Sequence, residues 1–176
     1  RFIGSDIDQQ SIESANKIIQ NNPLLKDQIE CRLQQNSKHF FRGVLNRKEQ
    51  IDLSICNPPF HASITEAQKG TQRKIKNLTG KKVNTPKLNF AGIHHELVYE
   101  GGEAEFIQKM ILESQAFKKN CTWFSTLVSK ESNLKGIYKS LKQVKAKKIE
   151  TIPMKTGNKT TRIIAWSFFA TGKRPL

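Results

Sequence analysis

Ile51-Asp52-Leu53-Ser54-Ile55-Cys56-Asn57-Pro58-Pro59-Phe60 is the stretch whose reading decides this chain. Ile51 to Cys56 is a largely apolar run and predicts a buried strand. The two prolines that follow fix the backbone and remove two N–H donors, and each pushes the residue before it toward extended geometry. The strand therefore ends in a stiff loop, at the carboxyl edge where open α/β sheets bind ligands. Asn57 brings a side-chain carbonyl acceptor and an amide donor. The Pro58 carbonyl is a second fixed acceptor, and Phe60 adds a flat apolar face. Two acceptors beside an aromatic plate suit a planar ring with an exocyclic amine, such as adenine or cytosine.

Outward from this stretch, strands alternate with helices. Arg1 to Ile7 reads as a strand ending in Ser5-Asp6-Ile7-Asp8. Ser11 to Ile19 reads as a helix with Ile12, Ala15, Ile18 and Ile19 on one face. Asp8 or Ser11 is placed to cap it, and Asn21-Asn22-Pro23 to stop it. Ile29 to Leu33 is a short strand. Gly101-Gly102-Glu103 opens a helix to about Phe117, Thr122 to Val128 is a strand, and Leu134 to Val144 is a helix. Trp123 and Trp166 are expected in the core. Lys148 to Met154 and Arg162 to Phe169 flank the turn Thr156-Gly157-Asn158-Lys159, which predicts an antiparallel hairpin. The pattern is that of an α/β, Rossmann-like fold: a mostly parallel sheet, helices on both faces and a C-terminal hairpin. One domain spans 1–176.

The 30 Lys and Arg against 15 Asp and Glu give a formal net charge of +15 over 176 residues. Such an excess favours a polyanionic partner: nucleic acid first, an anionic membrane surface second. No apolar run has the length of a membrane span. Three widely spaced cysteines fit neither a disulfide framework nor a zinc site, so a reducing cytoplasm is the expected setting. The stretch of about 62–95 is weakly periodic. From Ala67 to His95 it carries Arg73, Lys74, Lys76 and four further lysines with no acidic residue, which reads as an RNA-gripping loop. A second basic run, Lys135 to Lys148, fits a solubilising face nearly as well as phosphate contact. His94 and His95 are adjacent, with no carboxylate at ligand spacing, so no metal is expected.

Asn57-Pro58-Pro59-Phe60 resembles the catalytic motif of class I S-adenosylmethionine-dependent amino-methyltransferases. The wider context is Gly4-Ser5-Asp6-Ile7-Asp8, Phe60-His61-Ala62-Ser63, Glu66-Ala67, Gly70, Arg73-Lys74, Glu96-Leu97, Glu100-Gly101-Gly102-Glu103, Trp123-Phe124-Ser125, Leu127-Val128-Ser129-Lys130, Arg162 and Ala165-Trp166. Together these resemble the bacterial 23S ribosomal RNA adenine N6-methyltransferases, relatives of the human small nuclear RNA adenine methyltransferase. The resemblance covers nearly the whole chain. It implies S-adenosylmethionine as cofactor and ribosomal RNA of the large subunit, or its assembly intermediate, as partner. Asn57, Pro58 and Phe60 would be catalytic, with Asn57 also near the cofactor. Pro59, His61, Arg73, Lys74 and Lys76 would meet the substrate. Asp6 would hold the cofactor ribose, with Ile7 beside it and Ser37 near its adenine.

Other readings of the motif are a DNA adenine or a protein glutamine methyltransferase, or a catalytically silent RNA-binding module. Class I domains begin with a central strand and a Gly-rich turn, and no Gly-x-Gly precedes Arg1. The expectation is a first strand missing from 1–176: either an amino-terminal segment outside this chain supplies it, or the chain fills the two open sheet edges by association or rearrangement.

Overall fold

The computed structural model describes residues 1–63, 98–156 and 159–173. They divide into two compact units, Arg1–Gln50 and Ile51–Leu176.

In the first unit, β1 (Phe2–Asp6) pairs in parallel with β2 (Ile29–Leu33), Gly4 opposite Cys31. Between them run α1 (Gln9–Gln20) and the single turn α2 (Pro23–Lys26). Asp8 caps α1: its Oδ2 accepts from the Ser11 N–H and from Ser11 Oγ, each at 2.8 Å. α1 buries Ile12 and Ile19 but leaves Ile18 64% exposed, so the apolar face is narrower than the expected stripe. Asn22-Pro23 ends one helix and starts another, because Asn22 Oδ1 accepts from Leu24 N and proline fits the first helical position. Beyond β2, Arg32 binds Glu30 at 2.7 Å and both carboxylate oxygens of Glu49 at 2.7 and 2.6 Å, and donates to the Val44 carbonyl at 2.6 Å. This half-buried network ties the segment around 44–49 to β2. It draws the Glu49 carboxyl down to about 2, chiefly through the Arg32 guanidinium and then the Asn46 N–H.

The second unit holds a sheet of order β3-β4-β6-β5, made of β3 (Ile51–Ser54), β4 (Cys121–Val128), β5 (Lys148–Thr156) and β6 (Lys159–Ser167). β3 and β4 are parallel, while β6 is antiparallel to both β4 and β5. The expected hairpin is present, with Lys148 opposite Ser167, and its tip, residues 157 and 158, lies outside the described residues. Because the hairpin supplies two of four strands, this sheet is mixed rather than mostly parallel. α3 (Gly102–Ser114) continues into a 3₁₀ turn, Gln115–Phe117, and α4 (Leu134–Gln143) follows a 3₁₀ turn, Glu131–Asn133.

Ile107, Ile111, Phe124, Val128, Ile137, Leu141, Ile164 and Trp166 fill the core of this unit, each worth about 1.5–3 kcal/mol of transfer free energy. Phe124 stacks on Trp166, centroids 5.7 Å apart, and the Trp166 indole N–H donates to Ser114 Oγ at 3.0 Å. Trp123, expected in the core, is only half-buried and donates to the Gly172 carbonyl at 2.8 Å. Tyr138 of α4 also stands at the rim, its hydroxyl 2.6 Å from Thr151 Oγ1. β3 borders the sheet and leaves Leu53 51% exposed, with Ile55 just beyond it 81% exposed.

Candidate active site

β3 delivers Asn57. The Leu127 N–H donates to Cys56 O at 2.9 Å, so alignment with β4 persists past the formal end of β3. Ser125 Oγ donates to Ser54 O at 2.7 Å and closes the strand from the side. The chain then turns: Pro58 is fully buried, Asn57 is exposed, and Pro59, Phe60 and His61 are half-buried. Burying Pro58 anchors a loop that cannot flex at its prolines and leaves the Asn57 carboxamide facing outward. Cys56, immediately before, has its thiol pushed up to about 11 by burial, against a smaller opposing effect of a Thr126 hydrogen bond. His61 Nδ1 is buried without a hydrogen-bond partner.

Two elements hold this loop. Residues 98–102 return alongside it: His61 bridges Val98, and the Tyr99 N–H donates to His61 O at 3.0 Å. The Gly102 N–H then donates to Tyr99 O at 2.7 Å and α3 begins. Gly102 has φ +66°, and a Cβ there would lie 3.3 Å from Ala62 N. Glycine is therefore required both by the left-handed backbone and by the close approach of the helix start to the loop.

The second element is Glu103, 2% exposed. One carboxylate oxygen accepts from the Ser129 N–H at 2.7 Å. The other accepts from the Lys130 N–H at 3.2 Å and from Asn133 Nδ2 at 2.6 Å. The first turn of α3 is thereby fastened to the segment after β4. A helix-dipole role alone would leave such a residue exposed; its buried, multiply bonded carboxylate is a structural clamp. Arg162, opposite Val128 at the same edge, is also buried, with Nη1 unpartnered and Glu131 3.9 Å from Nη2.

In the first unit, Asp6 sits at the carboxyl end of β1, half-buried. Its Oδ1 accepts from the Asp8 N–H at 2.8 Å. Ile7 is 45% exposed. Ser37 lies exposed in a turn after β2, closed by the His39 N–H to Asn36 O at 2.9 Å. Sequence reasoning missed Gln34, whose buried side chain accepts from the Asn36 N–H and donates to Arg42 O, bracing that turn. The basic loop with Arg73, Lys74 and Lys76, and the pair His94-His95, lie outside the described residues. No helix among the described residues is long and apolar enough to cross a membrane.

A family model described as RNA methyltransferase matches residues 1–170. The ribosomal RNA large subunit methyltransferase F of Shewanella loihica is 48% identical over 176 residues, covering 96% of this chain and 44% of that protein. The protein of the same name from Bacteroides thetaiotaomicron is 49% identical over 167 residues, covering 95% and 54%. The chain thus spans about half the length of these relatives. Among solved structures, the catalytic domain of human METTL16 in complex with the MAT2A 3′UTR hairpin 1 is 25% identical, with a TM-score of 0.78 over 99% of this chain and 57% of that one. The N-terminal domain of human METTL16 in complex with SAH is 24% identical, with a TM-score of 0.65 over 96% and 52%, a likeness of fold. The chain belongs to this RNA methyltransferase family and has its α/β methyltransferase fold.

Proposed function

We propose that this family member forms the catalytic part of an enzyme that methylates the N6 amine of one adenosine in large-subunit ribosomal RNA, with S-adenosylmethionine as donor. The observation that carries the reading is the rigid, half-buried Asn57–Phe60 loop at the carboxyl end of β3, with its asparagine exposed, in a chain close to half identical to named ribosomal RNA methyltransferases. We read 1–176 as one methyltransferase domain working in the cytoplasm.

An aromatic amine is a poor nucleophile because its lone pair is delocalised into the ring. Asn57 Oδ1 and the Pro58 carbonyl accept its two hydrogens and turn the nitrogen toward tetrahedral geometry. The lone pair is then held in line for attack, and orientation of this kind supplies much of the acceleration. Phe60 stacks on the adenine, which must leave its own stack to enter. Pro59 and His61 form the rim. The cofactor would supply an electrophilic methyl on a sulfonium: as the N–CH3 bond forms the S–CH3 bond breaks, the sulfur leaves as a neutral thioether, and the methylated amine loses its surplus proton to solvent. Asp6, with one oxygen satisfied by the Asp8 N–H, is suited to accept from its ribose hydroxyls through the other. Ile7 would flank the cofactor ribose, Ser37 would lie near the cofactor adenine, and Arg73, Lys74 and Lys76 would grip substrate phosphates.

The test is methyl transfer to deproteinised large-subunit RNA, to assembly intermediates, to duplex DNA and to a glutamine-bearing protein acceptor, with the product base identified after digestion. N6-methyladenosine in RNA alone supports the proposal. Product in DNA or protein, or salt-sensitive RNA binding without transfer by the full-length protein, overturns it.

A further inference from the structure

Resting on that RNA-directed reading, we propose that the lysine face of α4 is a second RNA-backbone contact surface, distinct from the basic loop that follows the catalytic motif. α4 is sharply two-sided. Ile137, Leu141 and Val144 are 1, 0 and 2% exposed. On the other side Lys135, Lys139 and Lys142 stand exposed at intervals of four and three residues, and Lys145 and Lys147 continue the series beyond the helix. Along the axis the first three charges are about 6 and 4.5 Å apart. None of the five has an acidic partner among the described residues, and no Asp or Glu occurs between Glu131 and Glu150.

A merely solubilising face mixes its signs, as α3 does, where Glu105 and Lys109 pair at 3.3 Å. Like charges three or four residues apart destabilise a helix by about 0.2–0.5 kcal/mol per pair. A single-sign row therefore weakens α4 unless a polyanion meets it. A membrane fits less well, because the apolar side of α4 is already used in the core and none remains to insert.

Position relates the row to catalysis. α4 follows the Ser129–Asn133 segment that Glu103 clamps, at the edge of the sheet where Leu127 meets Cys56. The row runs from that edge toward the opposite one, where the Lys147 N–H donates to Ser167 O. RNA presenting its target base at Asn57 would extend along this row, so the contact falls on nucleotides flanking the target.

The experiment compares the full-length protein with a Lys135→Glu, Lys139→Glu, Lys142→Glu variant and with the matching triple Gln variant, each checked for parental helix content. Methylation is measured on a large-subunit RNA domain and on a short oligonucleotide around the target. KM for the long RNA should rise about tenfold in the Glu variant, less in the Gln variant, with kcat and the short substrate unchanged. The salt slope of long-RNA binding should fall by about 0.7 per lost lysine contact. Parental KM and salt slope in both variants would overturn the inference. So would parental binding of anionic phosphatidylserine vesicles as tight as that of RNA, lost in the variants. If the parent methylates neither RNA, the RNA-methylation reading fails by itself, and the binding slopes still decide the lysine row.

Discussion

Replacing Glu103 by alanine is expected to destabilise the Ile51–Leu176 unit by about 3–5 kcal/mol. The carboxylate accepts three hydrogen bonds, at 2.7, 3.2 and 2.6 Å, from Ser129 N, Lys130 N and Asn133 Nδ2. A hydrogen bond to a charged group contributes about 1.5–3 kcal/mol net. The Lys130 bond is the longest, at 3.2 Å, so the two shorter ones dominate the sum. Glu103→Gln keeps one acceptor but turns an amide donor toward the Lys130 and Asn133 donors, and should cost about 1–3 kcal/mol. Both tryptophans, Trp123 and Trp166, lie in this unit, so denaturant unfolding followed by their fluorescence reads the right transition. A double-mutant cycle with Asn133→Ala should show a coupling of about 1–2 kcal/mol. Losses below about 1 kcal/mol in both single variants, or zero coupling, would refute the idea that this carboxylate fastens α3 to the segment after β4.

Asn57→Ala should abolish methyl transfer yet unfold like the parent, since Asn57 is exposed; near-normal turnover would sink the proposed amine seat. Phe60→Ala should weaken substrate engagement by about 1–3 kcal/mol of base stacking, read as a rise in KM. Asp8→Ala should cost about 1 kcal/mol through loss of the α1 cap, measured by amide exchange across Gln9–Gln20. Glu49 has a folded-state pKa of about 2, below the ordinary carboxylate value near about 4.3. Its contribution to stability is therefore present above about pH 4.3 and lost as pH falls through about 2. Glu49→Gln should flatten that acid limb in amide exchange of β2 and residues 44–49, and an unchanged limb would show that Arg32–Glu49 does not govern it.

What could be read in the sequence was what is local. The strand before Asn57, the Asp8 cap and the hairpin of β5 and β6 each rest on residues within a few positions of one another. Glu103 was legible as an acidic residue at a helix start but not as a clamp, because its partners lie 26–30 residues away. Gly102 was legible as part of a helix start, while the nearby Ala62 that demands a glycine there is 40 positions earlier. Ile18 was assigned to an apolar face by periodicity, yet burial depends on what lies opposite a helix, which periodicity does not contain. Gln34 carried no signal, since a glutamine after a strand has many fates and only the fold surrounds this one with Asn36 and Arg42.

The thiol of Cys56 has a consequence for chemical selectivity. A methyl sulfonium alkylates any soft nucleophile, and a thiolate is softer than an aromatic amine. Cys56 is one residue from the proposed amine seat, where a thiolate would compete for the methyl group. With its thiol pushed up to about 11 by burial, Cys56 carries far less thiolate at neutral pH than a free cysteine does. The same burial that completes the strand thus keeps a self-inactivating side reaction rare.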